Sequence, residues 1–222
     1  MYRERDDPHP GMAHLSMAEH NRLTKSHRPY RLRARAAGMD RTRERITRAA
    51  VELHGTIGPA ATTMSAVAEL AGVTRATLYR HFPNEEALFT ACSADWLAAN
   101  PRPDPAGWAV IADPAGRLGA ALDELYAYYR STERMRTNLL RDIAVIPEMF
   151  RPGIVAFPTA TVEVLESDWP GPSGASLRRA AIGHAVGFET WRSLAAEGLT
   201  DAQAAELMVR FVTSIGPADE TR

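Results

Sequence analysis

Apolar residues recur at helical spacing through most of the chain, and no stretch alternates as a half-buried strand would. Ile46, Ala49, Ala50 and Leu53 stand at i, i+3, i+4 and i+7, the stripe one helix face buries. Asp40 is placed to cap that helix, and Gly55, Gly58 and Pro59 close it. Thr63 introduces a short segment with Met64, Val67, Leu70 and Ala71 inward. Gly72 ends it, since glycine tolerates the left-handed backbone of a helix end. Thr74 caps a second short segment with Leu78 and Phe82 inward, broken by Pro83 and Asn84. A longer helix is predicted over residues 85–99.

The second half follows the same rule with more interruptions. Residues 100–113, with Pro101, Pro103, Pro105 and Gly107, read as a loop. Asp113-Pro114 opens a helix with an acidic cap and a proline at its first turn. It carries Leu118, Leu122, Leu125 and Tyr129 and is predicted to run to about Arg130. A separate helix is predicted over residues 133–146, then a stretch near Thr159–Glu166. One helix is predicted over residues 173–197. A last one starts at Thr200, where Thr200 and Gln203 have capping-box spacing. The expected fold class is all-α.

Charge changes the picture at one end only. The net charge is −1, yet Arg22, Lys25, Arg28, Arg31, Arg33, Arg35, Arg41, Arg43, Arg45 and Arg48 crowd one segment against Asp40 and Glu44. Such asymmetry points to an anionic partner. Residues 1–38 lack hydrophobic periodicity and read as a mobile basic arm. Their histidines (His9, His14, His20, His27) are irregularly spaced, as in a polar tail rather than a metal site. There is one cysteine, Cys92, so no internal disulfide can form. No apolar run approaches the ~18 residues of a membrane helix. The N-terminus lacks the apolar core of a secretory signal. A cytoplasmic setting is expected, with no membrane partner.

Two short helices joined by Gly72-Val73-Thr74 have the size and turn of a helix-turn-helix. The second would present Thr74, Arg75 and Thr77 at its first turn and Tyr79, Arg80 and His81 at its far end. Arginine can bond guanine bidentately, and Thr and Tyr hydroxyls reach phosphate oxygens. An ordinary helix corner with a polar face is the competing reading.

The segment "TRERITRAAVELHGTIGPAATTMSAVAELAGVTRATLYRHFPNEEALF" resembles the N-terminal domain of the TetR family of bacterial transcriptional regulators. "AGVTRATLYRHF" preceded by "TMSAVAEL" carries the resemblance most specifically. It implies a DNA-binding regulator, usually a repressor, acting as a homodimer on a pseudo-palindromic operator of double-stranded DNA and released by a small-molecule effector. It places base contacts on Arg75, Ala76 and Thr77, with Arg80 a candidate, and phosphate contacts on Thr63, Tyr79 and His81. Where the family usually has a lysine at the start of the fourth helix, this chain has Glu85. The basic arm could supply the phosphate contact so lost.

The implied organisation is an arm over residues 1–38, a DNA-binding domain over 39–84 and a ligand-binding and dimerisation domain over 85–222. Tyr126, Tyr129, Met135, Met149, Phe150, Phe157, Phe188 and Trp191 could line an apolar pocket, though most would serve the core. Asn138, Arg141, Asp142, His184 and Glu189 could orient a ligand there. The candidate ligand residues are thus Tyr126, Tyr129, Asn138, Arg141, Phe150, His184, Phe188 and Trp191, with an amphipathic aromatic or fatty effector favoured. Ala180, Ala181, Gly183, Ala185 and Gly187 would let two helices approach closely, and Leu207, Phe211 and Ile215 form an apolar ridge. These features suit a symmetric four-helix dimer interface; core packing within one subunit is the competing reading.

Two other function classes are open. One is a DNA-binding regulator without a ligand, its C-terminal domain serving only dimerisation or protein partners. The other is an enzyme built on Cys92 and a histidine. Nothing in the sequence places those two together, and no nucleophile elbow, P-loop, metal-spaced cluster or dinucleotide fingerprint occurs. No catalytic residue, cofactor or metal is expected.

Overall fold

A computed structural model describes the backbone of residues 17–155, 159–169 and 174–215, with side chains from residue 37 onward except 159 and 160. Among these residues every regular element is helical, and no helix is long and apolar enough to cross a membrane. The chain divides into two compact units, residues 1–45 and residues 46–222.

The first helix, α1, is Met17–Thr56. Asp40 therefore lies inside a helix rather than at its cap, and residues 17–38 are helical where the pattern predicts irregular chain. Helix propensity supplies the physical reason. Arg, Ala and Leu dominate residues 31–37 and favour helix without needing an apolar stripe. The rest of the predicted arm, residues 1–16, lies outside the described residues.

Within residues 46–222 the first core forms around a helix pair. Ile46, Ala49 and Ala50 of α1 pack with Met64, Val67, Ala68 and Ala71, with Leu78 and Phe82, and with Leu88 and Cys92. Helix α2 is Met64–Leu70 and α3 is Arg75–His81. The Thr63 and Thr74 hydroxyls accept from the amides of Ala66 and Thr77, satisfying N–H groups that a short helix cannot pair internally. Gly72 adopts φ 63° at the turn. Leu70 corrects the sequence reading: it is 46% exposed, because Ala68 and Ala71 complete the inward stripe. Helix α4, Glu85–Ala99, is capped by the Asn84 carboxamide and has Glu85 and Glu86 in its first turn.

The predicted loop over 100–113 contains a short helix, α5 (Pro105–Ala109), capped by Asp104. The two helices predicted between residues 113 and 146 are one, α6 (Pro114–Arg141). Nothing at 131–132 breaks it: the Ser131 and Thr132 hydroxyls both donate back to the Tyr128 carbonyl within the helix. Two 3-10 turns, Ile143–Val145 and Glu148–Phe150, precede α7 (Arg151–Val155). Helix α8 is Thr159–Glu166.

The helix predicted over residues 173–197 is broken into α9 (Ala175–Ala185) and α10 (Phe188–Ala196). The freed carbonyls are not wasted. Tyr126 donates to the Ala185 carbonyl at 2.7 Å and Tyr129 to that of Val186 at 2.6 Å. Helix α11, Asp201–Thr213, opens with the Thr200–Gln203 capping box. It packs on α6, α9 and α10. The second core lies there: Trp108, Leu118, Leu122, Leu125, Tyr126, Tyr129, Leu165, Ile182, Phe188, Trp191, Met208 and Val212.

One buried charge organises this core. Arg117 is 2% exposed and donates to the carbonyls of Ile111, Val164 and Ser167, to the Ser167 hydroxyl and to the Asp168 carboxylate at 3.0 Å. It thereby closes the C-terminal end of α8, whose last carbonyls have no partner within that helix.

Candidate nucleic-acid interface and ligand pocket

Helix α3 turns one side inward through Leu78, which is fully buried. Thr74, Arg75, Ala76, Tyr79 and Arg80 are exposed, and Thr77 and His81 are half-buried. Thr74 donates to the Thr77 hydroxyl at 3.0 Å and accepts from the Thr77 amide at 3.2 Å. In this arrangement Thr74 acts as the cap, while Thr77 keeps its own proton for an outside acceptor. The Arg75 guanidinium lies 6.0 Å from the centre of the Tyr79 ring, at the outer limit of a cation–π contact. Thr63 is exposed at the start of α2, its oxygen engaged by the Ala66 amide at 3.1 Å and its proton available.

Thr63 and Tyr79 line one cleft of about 800 Å³ together with Thr62, Asn84, Glu85 and Glu86. The two hydroxyls assigned to phosphate thus share a wall with the two glutamates. The glutamates suit the helix they begin, since a helix N-terminus favours negative charge. They oppose a phosphate brought to the same cleft. The predicted contact of the basic arm with DNA falls on residues 1–38, whose side chains are described only from residue 37.

The structure does not assemble the predicted ligand residues into one site. Tyr126, Tyr129, Phe188 and Trp191 belong to the second core. Their spacing fits core packing, and both tyrosine hydroxyls serve the α9–α10 break, so burial pushes both phenols well above their usual pKa range. Trp191 donates to Asp201 at 2.9 Å, and that carboxylate also receives Arg130. His184 is exposed on α9, its ring 6.5 Å from that of Phe211.

Asn138 and Arg141 do something else. Asn138 donates to the His54 carbonyl at 3.0 Å, and Arg141 to that of Ile57 at 2.9 Å. The neighbouring Asp142 accepts from the Ala60 amide at 3.1 Å. Arg141 grips Asp142 through two bonds of 2.8 Å and holds its carboxyl below the usual range. Gly58 sits between them at φ 91°. A Cβ there would lie 2.0 Å from Arg141 Nη2 and 2.3 Å from Asp142 Oδ2, so only glycine fits. The end of α6 is latched to the turn that leads into Thr63 and α2.

Phe150 alone of the predicted ligand residues lines the apolar pocket that is present. That pocket has a volume of about 190 Å³ and is walled by Val51 and His54 of α1, by Phe89, Cys92, Ser93, Trp96 and Leu97 of α4, and by Met135 and Leu139 of α6. Arg102, Met149, Phe150, Gly153 and Ile154 complete it. Met135, Met149 and Phe150 were legible as apolar candidates. His54, Trp96 and Arg102 carried no local signal, because three separate segments meet there.

Cys92 and a histidine do come together. Cys92 Sγ lies 3.6 Å from His54 Nδ1 and 3.3 Å from the Phe89 carbonyl. Burial pushes the Cys92 thiol up to about 12 and the His54 imidazole down to about 4. Both groups are neutral near pH 7. A nucleophilic pair needs a thiolate, so this pair has the spacing for nucleophilic chemistry without the activation.

Residues 46–92 match the family model of bacterial regulatory proteins of the TetR family. Two solved structures share the fold. A Clostridium perfringens protein, provisionally a fatty acid metabolism regulator, is 14% identical with TM-score 0.54, over 77% of this chain and 97% of its own. NalD, the secondary repressor of the MexAB-OprM multidrug efflux pump in Pseudomonas aeruginosa, is 20% identical with TM-score 0.52, over 81% of this chain and 98% of its own. A sequence comparison with curated proteins gives no match. The helix pair thus lies inside a segment that matches the TetR-family model, and the helical region beyond it shares its overall fold with these two structures.

Proposed function

We propose that this regulator is a repressor that binds a pseudo-palindromic operator as a dimer and lets go when a small molecule enters the pocket walled by α1, α4 and α6. The latch between α6 and residues 54–60 carries this reading. Met135 and Leu139 face the pocket, while Asn138, Arg141 and Asp142 of the same helix end hold His54, Ile57 and Ala60. His54 belongs to both, its ring in the pocket wall and its carbonyl in the latch. A molecule that shifts α6 or the His54 ring therefore moves the backbone leading to Thr63 and the helix pair.

On DNA, Arg75, Ala76, Thr77 and Arg80 read base edges, and Thr63, Thr74, Tyr79 and His81 stand along the phosphates. Leu177, Ala180 and Gly183 on α9 and Leu207 and Phe211 on α11 are exposed. An apolar patch spread over two adjacent helices suits a second copy of the chain.

The test has two parts. An operator is selected from random duplex DNA, and anisotropy titrations are run with and without a compound that raises thermal stability. Wild type should release the operator; Asn138→Ala should still bind it but respond less. Equal release by both would remove the latch from the mechanism. In sedimentation, Phe211→Glu should give monomers. A dimer that persists would place the interface elsewhere.

A further inference from the structure

We infer that the pocket is built for a small apolar acid, one ring or a short chain ending in a carboxylate that Arg102 receives. The inference rests on the ligand-responsive reading above and names its ligand class.

Size comes first. A cavity of ~150 Å³ holds benzene, so about 190 Å³ takes a single aromatic ring with a short substituent, or a chain of roughly six to eight carbons on the same scale. The walls are apolar, with Phe89 and Phe150 in ring contact at 5.0 Å. Cys92 does not form an adduct, because its thiol stays protonated. The ligand is held without a covalent bond.

Charge comes second. Of the fourteen residues lining the pocket, Arg102 is the one with a permanent charge, and none is acidic. Its Nη2 donates to the Gly153 carbonyl at 2.9 Å. It makes no ion pair with a carboxylate among the described residues. Arginine has five donors in a planar fork, so a carboxylate can still be taken bidentately.

A second cation reinforces the first. Arg136 reaches the next carbonyl, that of Ile154, at 3.5 Å, and it too lacks a carboxylate partner among the described residues. Burial is the main cause holding its pKa below the ordinary range, and Arg102 adds to the effect. Two guanidinium groups reach the adjacent carbonyls of residues 153 and 154, and neither has a carboxylate partner among the described residues. A bound carboxylate supplies it.

The experiment titrates the full chain calorimetrically with benzoate and octanoate, with their primary amides, and with tetradecanoate. At least one of the two smaller acids should bind tenfold or more tightly than its own amide, and tetradecanoate should bind more weakly than octanoate. Arg102→Gln, which can still donate to Gly153, should bring acid and amide to parity without changing the amide. Arg102→Lys should recover part of the difference. Acid and amide binding equally in wild type, Arg102→Gln weakening both alike, or neither small acid binding would each overturn the assignment. Operator binding by the ligand-free protein is measured in parallel. Intact DNA binding without acid binding removes the ligand class alone, whereas loss of DNA binding removes the regulatory reading itself.

Discussion

The core under the helix pair is built from Ile46, Ala49, Ala50, Met64, Val67, Ala68, Ala71, Leu78, Phe82, Leu88 and Cys92. The core around α6 holds Trp108, Tyr126, Tyr128, Tyr129, Phe188 and Trp191, with a buried Arg117 at its edge. In the first region the polar groups of α3 stay outside. Arg75, Tyr79 and Arg80 project from a scaffold of apolar side chains. In the second region polar groups are structural. Tyr126, Tyr129 and Arg117 serve broken helix ends, and Asn138, Arg141 and Asp142 form the latch. A side chain's chemistry is therefore placed differently in the two regions: turned outward in the first, engaged with backbone carbonyls in the second.

Arg117→Met should show the largest effect. It would strand the carbonyls of Ile111 and Ser167, leave that of Val164 only the Ser167 hydroxyl, and leave Asp168 without its partner. Asp168 is exposed, so the cost comes mainly from buried carbonyls left unpaired, about 1–3 kcal/mol each. At ~2–4 °C per kcal/mol for a chain this size, melting should fall by roughly 10 °C, while DNA affinity of the folded protein at 25 °C stays unchanged. A loss under about 1 kcal/mol would show that Arg117 is not structural, and the contrast would fail.

His54 tests the boundary between the regions. Its folded pKa, about 4, lies below the ordinary 6.5. Between those values the unfolded chain binds a proton that the folded chain refuses, so stability is full above about pH 6.5 and falls with acid. The loss between pH 7 and 4.5 should be roughly 2–3 kcal/mol, at 1.36 kcal/mol per pKa unit. His54→Gln should flatten that part of the urea-denaturation profile. Parallel profiles for variant and wild type would mean that His54 is not the buried neutral group.

On the exposed side the expectation reverses. Arg75→Ala should cost about 1–3 kcal/mol of operator binding and relax specificity at one position of each half-site, with stability altered by less than ~0.5 kcal/mol. Tyr79→Phe should weaken binding to all sequences about equally. If Tyr79→Phe changed base preference and Arg75→Ala did not, the docking of α3 would be reversed.

A small stability effect is expected of Glu85→Lys. The Asn84-capped start of α4 favours Glu85, so the exchange should cost about 0.3–1 kcal/mol. On DNA a lysine in the cleft shared with Thr63 and Tyr79 would add one phosphate contact per subunit. Two contacts per dimer steepen the logarithmic salt slope by about 1.8, and binding should tighten most at low salt. Unchanged or weaker binding by a folded variant would mean that this cleft does not face the backbone.

The helix pair was legible almost residue by residue. Thr63, Gly72, Thr74, Pro83 and Asn84 are local signals, acting within a few residues of themselves through caps, a positive φ and a missing N–H. The inward stripe failed at Leu70, where a larger residue gave way to Ala68 and Ala71. Farther along, two errors share a cause. The break between α9 and α10, and the continuity of α6 through Ser131 and Thr132, depend on which carbonyls find a partner. For α9 those partners are tyrosines nearly sixty positions away.

By itself the sequence determined the all-α class, the helix pair with its exposed Arg75, Tyr79 and Arg80, and the caps of α2, α3, α6 and α11, because these rest on spacing and on hydrogen bonds closed within one turn. Tertiary structure decided the rest. It sent Tyr126, Tyr129, Phe188 and Trp191 to the core, turned Asn138 and Arg141 into a latch around Gly58, and set His54, Cys92 and Arg102 on one pocket. An aromatic or an arginine has the same local pattern whether it packs, ties a carbonyl or faces a ligand; only the segments that meet around it settle which.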